Sequence, residues 1–167
     1  MAVGIQETGG QALGMRVDVS RDQSVLEMVR ATLERFGRID ILLNNAAIVT
    51  HFNWGIPRWP RIADMSKEQW DKVIQTNLGG TFLCTKHVLP HLEAQRSGHV
   101  ITLHGGGAVG STATAYSVSK DAIRTFTRFA AGEVRDSEVC VVCVAPGGAI
   151  ATENAPEEAR QRMPAPD

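Results

Sequence analysis

The residues able to do chemistry are concentrated between Ile101 and Lys120, in the stretch ITLHGGGAVGSTATAYSVSK. Three patterns overlap there. Gly105, Gly107 and Gly110 spell G-x-G-x-x-G, the spacing that lets a backbone approach a dinucleotide pyrophosphate. His104 to Gly107 spell H-G-G-G, an oxyanion-loop pattern of lipases and esterases. Tyr116 and Lys120 spell Y-x-x-x-K.

The surroundings decide between them. A dinucleotide fingerprint needs an acidic residue at the end of the next strand, about 20 residues on, to hold the ribose. Here that strand ends in Val144-Ala145-Pro146-Gly147, with no acid. A serine hydrolase needs a G-x-S-x-G elbow with a later acid and histidine. No serine here has that setting, and His104 is the last histidine. Tyr116 and Lys120, four apart at the start of a helix, share one face. An ammonium beside a phenol favours phenolate and lowers its pKa from about 10. That makes the tyrosine a usable acid or base nearer neutral pH.

The elements that must carry this pair can be read from periodicity. Leu13 to Val19 reads as a strand. Ser20 and Gln23 form a capping box for a helix whose apolar face is Val25, Met28, Val29, Leu33 and Phe36, stopped by Gly37. Ile39 to Leu43 is a short apolar strand, as expected with both faces covered. A loop rich in Pro, Trp and Arg spans 48–65. Ser66 and Gln69 open a second capping box. A long helical stripe follows, from Trp70 to Leu92, broken near Thr76 and kinked by Pro90. Then come a strand at Val100–Leu103, a helix at Ala115–Val134 and a strand at Val139–Val144, closed by Pro146, Gly147 and Gly148. A short charged helix is expected near Glu157–Arg162. The order β-α-β-α-β-α-β implies a parallel α/β sheet, with ligands outside the carboxyl ends of its strands.

Composition excludes other classes. The 167 residues suit one domain, 43% hydrophobic, with a formal net charge of −1 and no long basic or acidic run. Nucleic acid and anionic membrane surfaces are therefore poor partners. No apolar run reaches the roughly 20 residues of a membrane span, and no secretory signal is visible, so a cytoplasmic location is expected. Of the three cysteines, Cys140 and Cys143 form C-x-x-C within VCVVCVA. A strand reverses faces over three residues, so these read as small buried apolar residues and not as a redox pair. His87 and His91, four apart, lack an evident third ligand, so no metal site is expected. Trp54 and Trp59, in the loop, either stack on a substrate ring or pin the loop.

Five motifs in order make the chain resemble the short-chain dehydrogenase/reductase family from about Val17 to Thr152. They are DVS at Asp18 to Ser20, DILLNNAA at Asp40 to Ala47, IQTNLGGTF around Asn77, AYSVSK with Tyr116 and Lys120, and VAPGGAIAT up to Thr152. The resemblance implies a partial Rossmann-like, doubly wound parallel sheet lacking its first two strands, as a single incomplete NAD(P)-binding domain over 1–167. It implies hydride transfer between NAD or NADP and a small-molecule carbonyl or alcohol. Tyr116 would be the general acid/base. Lys120 would hold the nicotinamide ribose and lower the tyrosine pKa, and Asn77 would position a water linking Lys120 to solvent. Asp18 and Val19 would flank the adenine, and Asn45 and Ala46 the adenosine ribose. Pro146, Gly147 and Thr152 would line the nicotinamide side. A homodimer or homotetramer is implied through the two long helices.

Two departures qualify this. The family places a serine 12 or 13 residues before the tyrosine to polarise the substrate oxygen; here the window reads Leu103-His104. With one loop residue fewer, His104 takes that place and offers a ring donor; otherwise Gly105 does. Losing such a donor typically costs about 100- to 1,000-fold in rate. The family's opening strand, its T-G-x-x-x-G-x-G turn and its second strand have no counterpart here. A truncated reading frame or fragment is therefore expected, with NAD(P) binding weakened or lost. The alternative reading is an inactive fragment that serves as an interaction or dimerisation module.

Overall fold

The computed structural model describes residues 2–49, 55, 58–106, 109 and 111–146. Its first helix, α1 (Ala2–Glu7), is followed by an unpaired stretch and then by α2 (Asp22–Phe36). Next come β1 (Ile41–Asn44), α3 (Lys67–Ile74), a π-helical turn (Gln75–Gly79) and α4 (Gly80–Gln95). The chain continues through β2 (Gly98–Leu103), α5 (Thr114–Glu133) and β3 (Val139–Val144). The three strands form one parallel sheet in the order β1-β2-β3, with Ile41 opposite His99 and Gly98 opposite Val139.

The core forms where one face of this sheet meets three helices. Val100, Val139 and Val141 point into it from the strands. Val29 of α2, Val88 and Leu92 of α4 and Ala130 of α5 close over them. The strands alternate accordingly. Residues one step away, such as His99, Cys140, Val142 and Val144, are exposed on the opposite face. Gly98 is required at the entrance of β2: its φ is 147°, and a Cβ there would sit 2.6 Å from Leu92 Cδ2.

Several local expectations hold. Ser66 caps α3: its side chain accepts from Gln69 N while the Gln69 side chain accepts from Ser66 N. The break near Thr76 is the π-helical turn, and π-bulges favour functional sites. Pro90 lies inside α4, which runs on to Gln95 and ends at Arg96 in the left-handed conformation.

Others need correction. Leu13–Val19 forms no strand. β1 is hydrogen-bonded to β2 alone, and Leu13 and Met15 stay exposed, so the segment has no neighbour to order it as a strand. Ser20 does not cap α2. Its hydroxyl donates to Asp18 Oδ1 at 2.6 Å, and Arg21 holds the N-cap position with no side-chain bond. Gln23 donates to Glu27 instead of completing a box. The strand expected at Ile39–Leu43 begins at Ile41, and Ile41 and Leu43 are 61% and 54% exposed. Among the described residues the covering helices share one core, so only one sheet face is buried. For the same reason Cys140 is exposed, not buried. The charged helix expected near Glu157–Arg162 lies outside the described residues.

Candidate active site

The site is assembled at the carboxyl end of β2, where α5 begins and the π-helical turn passes beneath. Tyr116 and Lys120 lie one turn apart on α5, as the sequence requires. Lys120 is 6% exposed, and its Nζ donates to the Leu103 carbonyl at the end of β2 at 3.0 Å. The same ammonium stands 5.8 Å from the centroid of the Tyr116 ring, within cation–π range. The ring packs on a second apolar cluster made by Ile48, Trp59, Val73, Ala113 and Ala115. Trp59 is therefore a buried element of the wall. Its carbonyl also accepts from Thr112 Oγ1 at 2.6 Å, tying the 58–65 loop to the start of α5. Trp54 lies outside the described residues.

Electrostatics differ from the simple ion-assisted picture. Burial pushes the Tyr116 hydroxyl above the ordinary phenol value. Burial pulls the Lys120 ammonium down, and the nearby Cys143 thiol acts the other way. Desolvation disfavours the charged form of each group. The direction is thus opposite to the lowering expected from the sequence.

Asn77 sits fully buried in the π-helical turn. Its Oδ1 accepts from Ile48 N at 2.7 Å and its Nδ2 donates to Ile48 O at 3.2 Å, so one amide satisfies both backbone groups of a loop residue. Nδ2 also donates to Ser119 Oγ at 3.0 Å, and Ser119 Oγ donates to the Tyr116 carbonyl at 2.7 Å. Ser119 went unnoticed in the sequence, although a small polar residue three positions after Tyr116 shares its helical face.

His104 follows β2. Its main-chain N–H donates to Val144 O at 2.9 Å. Its ring Nδ1 lies 3.1 Å from the Lys120 carbonyl oxygen and Nε2 4.0 Å from Asp121 Oδ1.

The cofactor-side residues fall into two groups. Val19, Asn45 and Ala46 line one recess of about 220 Å³ together with Asn44, Gly80 and Thr81. Gly80 is essential to it, because a Cβ there would lie 2.6 Å from Val19 Cγ2. Asp18 is turned away into its own loop. Ser20 Oγ and Ser20 N donate to Asp18 Oδ1, holding its carboxyl below the usual range. Pro146 is exposed just beyond β3. Gly147 and Thr152 lie outside the described residues. Within the same recess, burial raises Cys84 to about 11, which makes it an inert thiol. His87 Nε2 lies 3.0 Å from Asp22 Oδ1, which also accepts from Lys86 Nζ.

A parallel α/β sheet with a recess at the carboxyl ends of its strands is the architecture of doubly wound α/β proteins. The short-chain dehydrogenase family model matches residues 1–162, and the chain belongs to that family. It is 37% identical over 141 residues to a 3-oxoacyl-[acyl-carrier-protein] reductase of Synechocystis, covering 83% of this chain and 54% of the relative. It is 38% identical over 144 residues to the short-chain reductase protein NovJ of Streptomyces niveus, covering 86% and 52%. The chain thus spans about half the length of the curated relatives it matches. Among solved structures, a metagenomic short-chain oxidoreductase in complex with NADP is similar with a TM-score of 0.76 and 28% identity, over 89% of this chain and 64% of that one. An NAD+-bound xylitol dehydrogenase shares the fold with a TM-score of 0.81 at 24% identity, over 96% and 58%.

Proposed function

We propose that this chain carries the proton-transfer half of an NAD(P)-dependent oxidoreductase acting on a carbonyl or alcohol. The observation that supports it most is the Tyr116–Lys120 turn, anchored through Lys120 Nζ on the Leu103 carbonyl. The nicotinamide, when bound, supplies or accepts the hydride. In the reducing direction the Tyr116 hydroxyl would give its proton to the substrate's carbonyl oxygen, becoming a phenolate. The Lys120 ammonium would stabilise that phenolate, and the proton would return from solvent.

The recess fits the adenosine end of a dinucleotide. Its opening between Val19 and the Asn45-Ala46 pair is kept by Gly80, where a side chain would collide with Val19. Val19 would flank the adenine in this reading, with the Asp18 carboxylate held by Ser20, and Asn45 and Ala46 would flank the adenosine ribose. Lys120 would hold the nicotinamide ribose, and Pro146, just beyond β3, would border the nicotinamide. The names of the relatives make 3-oxoacyl thioesters the first substrates to try.

A second reading is an interaction module, acting through a second copy. It is favoured by an apolar groove of about 260 Å³ between α4 and α5, lined by Phe82, Leu89, Phe126 and Phe129, of which Phe129 is 69% exposed. Fluorescence titration with NADH and NADPH separates the two. Saturable binding weakened by Gly80→Ala supports the oxidoreductase. Absence of saturable binding, with a concentration-dependent dimer in sedimentation, supports the module.

A further inference from the structure

We infer that His104 is a positioning residue that clasps the Lys120 turn of α5 to the end of β2, and not the donor to the substrate oxygen. The inference rests on the Tyr116–Lys120 reading above. β3 fixes the backbone of His104, whose N–H donates to Val144 O. From there ring Nδ1 reaches the Lys120 carbonyl at 3.1 Å. A carbonyl only accepts, so Nδ1 carries the proton. Lys120 reaches back in the opposite sense, Nζ donating to Leu103 O at 3.0 Å. Two adjacent residues at the end of β2 therefore hold Lys120 by its main chain and by its head group.

The second ring nitrogen, Nε2, faces Asp121 at 4.0 Å. Asp121 lies five positions after Tyr116, roughly 140° round the helix from it. The imidazole is thus committed to a flank of α5 away from the phenol. Lys120 is nearly buried, with its Nζ on Leu103 O and over the Tyr116 ring, so a shift of its turn changes where the ammonium stands relative to Tyr116.

The chain contains one tyrosine, so the ultraviolet absorbance change of phenolate formation titrates Tyr116 alone and needs no turnover. His104→Asn puts an amide donor near the Nδ1 position, whereas His104→Gln puts it near Nε2. The expected result is a parental tyrosine midpoint for His104→Asn. In His104→Gln the phenolate-to-phenol ratio at fixed pH should change by about threefold or more, half a pH unit. Equal midpoints in all three proteins, equal displacement of both variants, or displacement in the Asn variant alone would overturn the assignment. Thermal unfolding is followed in parallel. A loss of stability without the Asn–Gln contrast makes His104 merely structural and also overturns it. A protein that turns over no substrate yet shows the contrast counts against the proposed function alone.

Discussion

The amide of Asn77 and the hydroxyl of Ser119 meet 3.0 Å apart, both side chains being fully buried. Through this contact the loop after β1, held at Ile48, is joined to the Tyr116 carbonyl on α5. Buried polar groups stabilise only while every partner is present, so this link is stiff and sensitive to deletion.

Ser119→Ala removes an acceptor from Asn77 Nδ2 and a donor from the Tyr116 carbonyl. The expected loss is about 1–3 kcal/mol, the cost of an unsatisfied buried group. Urea denaturation of parent and variant measures it. A variant within experimental error of the parent would show that the link carries no energy.

Gly80→Ala places a methyl against Val19 Cγ2, which is stiff at χ1 and cannot swing away freely. Overpacking of this kind costs about 1–3 kcal/mol. In a Val19→Ala background the 2.6 Å contact with Cγ2 is gone and only the 3.0 Å contact with Cβ remains, so the cost should fall. Additive effects in this double-mutant cycle would contradict the contact.

Alkaline pH should act on stability in two opposed limbs. Lys120 has its folded pKa depressed below 10.5. Stability linked to it is present above that unfolded value and is lost as pH falls through the depressed one. Tyr116 has its folded pKa raised above 10.0. Stability linked to it is present below that value and is lost as pH rises through the raised one. Cys84, raised from 9.0 to about 11, adds to the fall from pH 9 upward, so denaturation midpoints should fall in the alkaline range, and Tyr116→Phe should remove the tyrosine contribution to the fall above pH 10. An unchanged alkaline limb in that variant would assign the fall to other groups.

Much of this arrangement was legible in the residues themselves. Val139–Val144 is a strand with the expected bounds, because a short valine-rich apolar run between Glu138 and Pro146 has few other uses. The Ser66–Gln69 box and the Tyr116–Lys120 face are local, set by spacing within one or two turns. What failed depended on partners. Leu13–Val19 has the pattern of a strand but no neighbour in the sheet. Ser20 found Asp18 nearer than the helix amides. Ile41, Leu43 and Cys140 look buried by composition, yet point to the face that no helix among the described residues covers. The direction of the Tyr116 shift was equally invisible. It is decided by how deeply Ile48, Trp59 and Val73 bury the ring, and these come from three distant segments.

The central claim, that Tyr116 is the proton donor, is tested most directly by Tyr116→Phe. The measurement is NADPH- and NADH-dependent reduction of a 3-oxoacyl thioester and a panel of simple ketones by parent and variant. The account predicts turnover by the parent and a loss of about 100- to 10,000-fold in kcat for the variant, the span of general acid–base catalysis, with cofactor affinity preserved. Equal rates for parent and variant, or no turnover by the parent on any member of the panel, would contradict it.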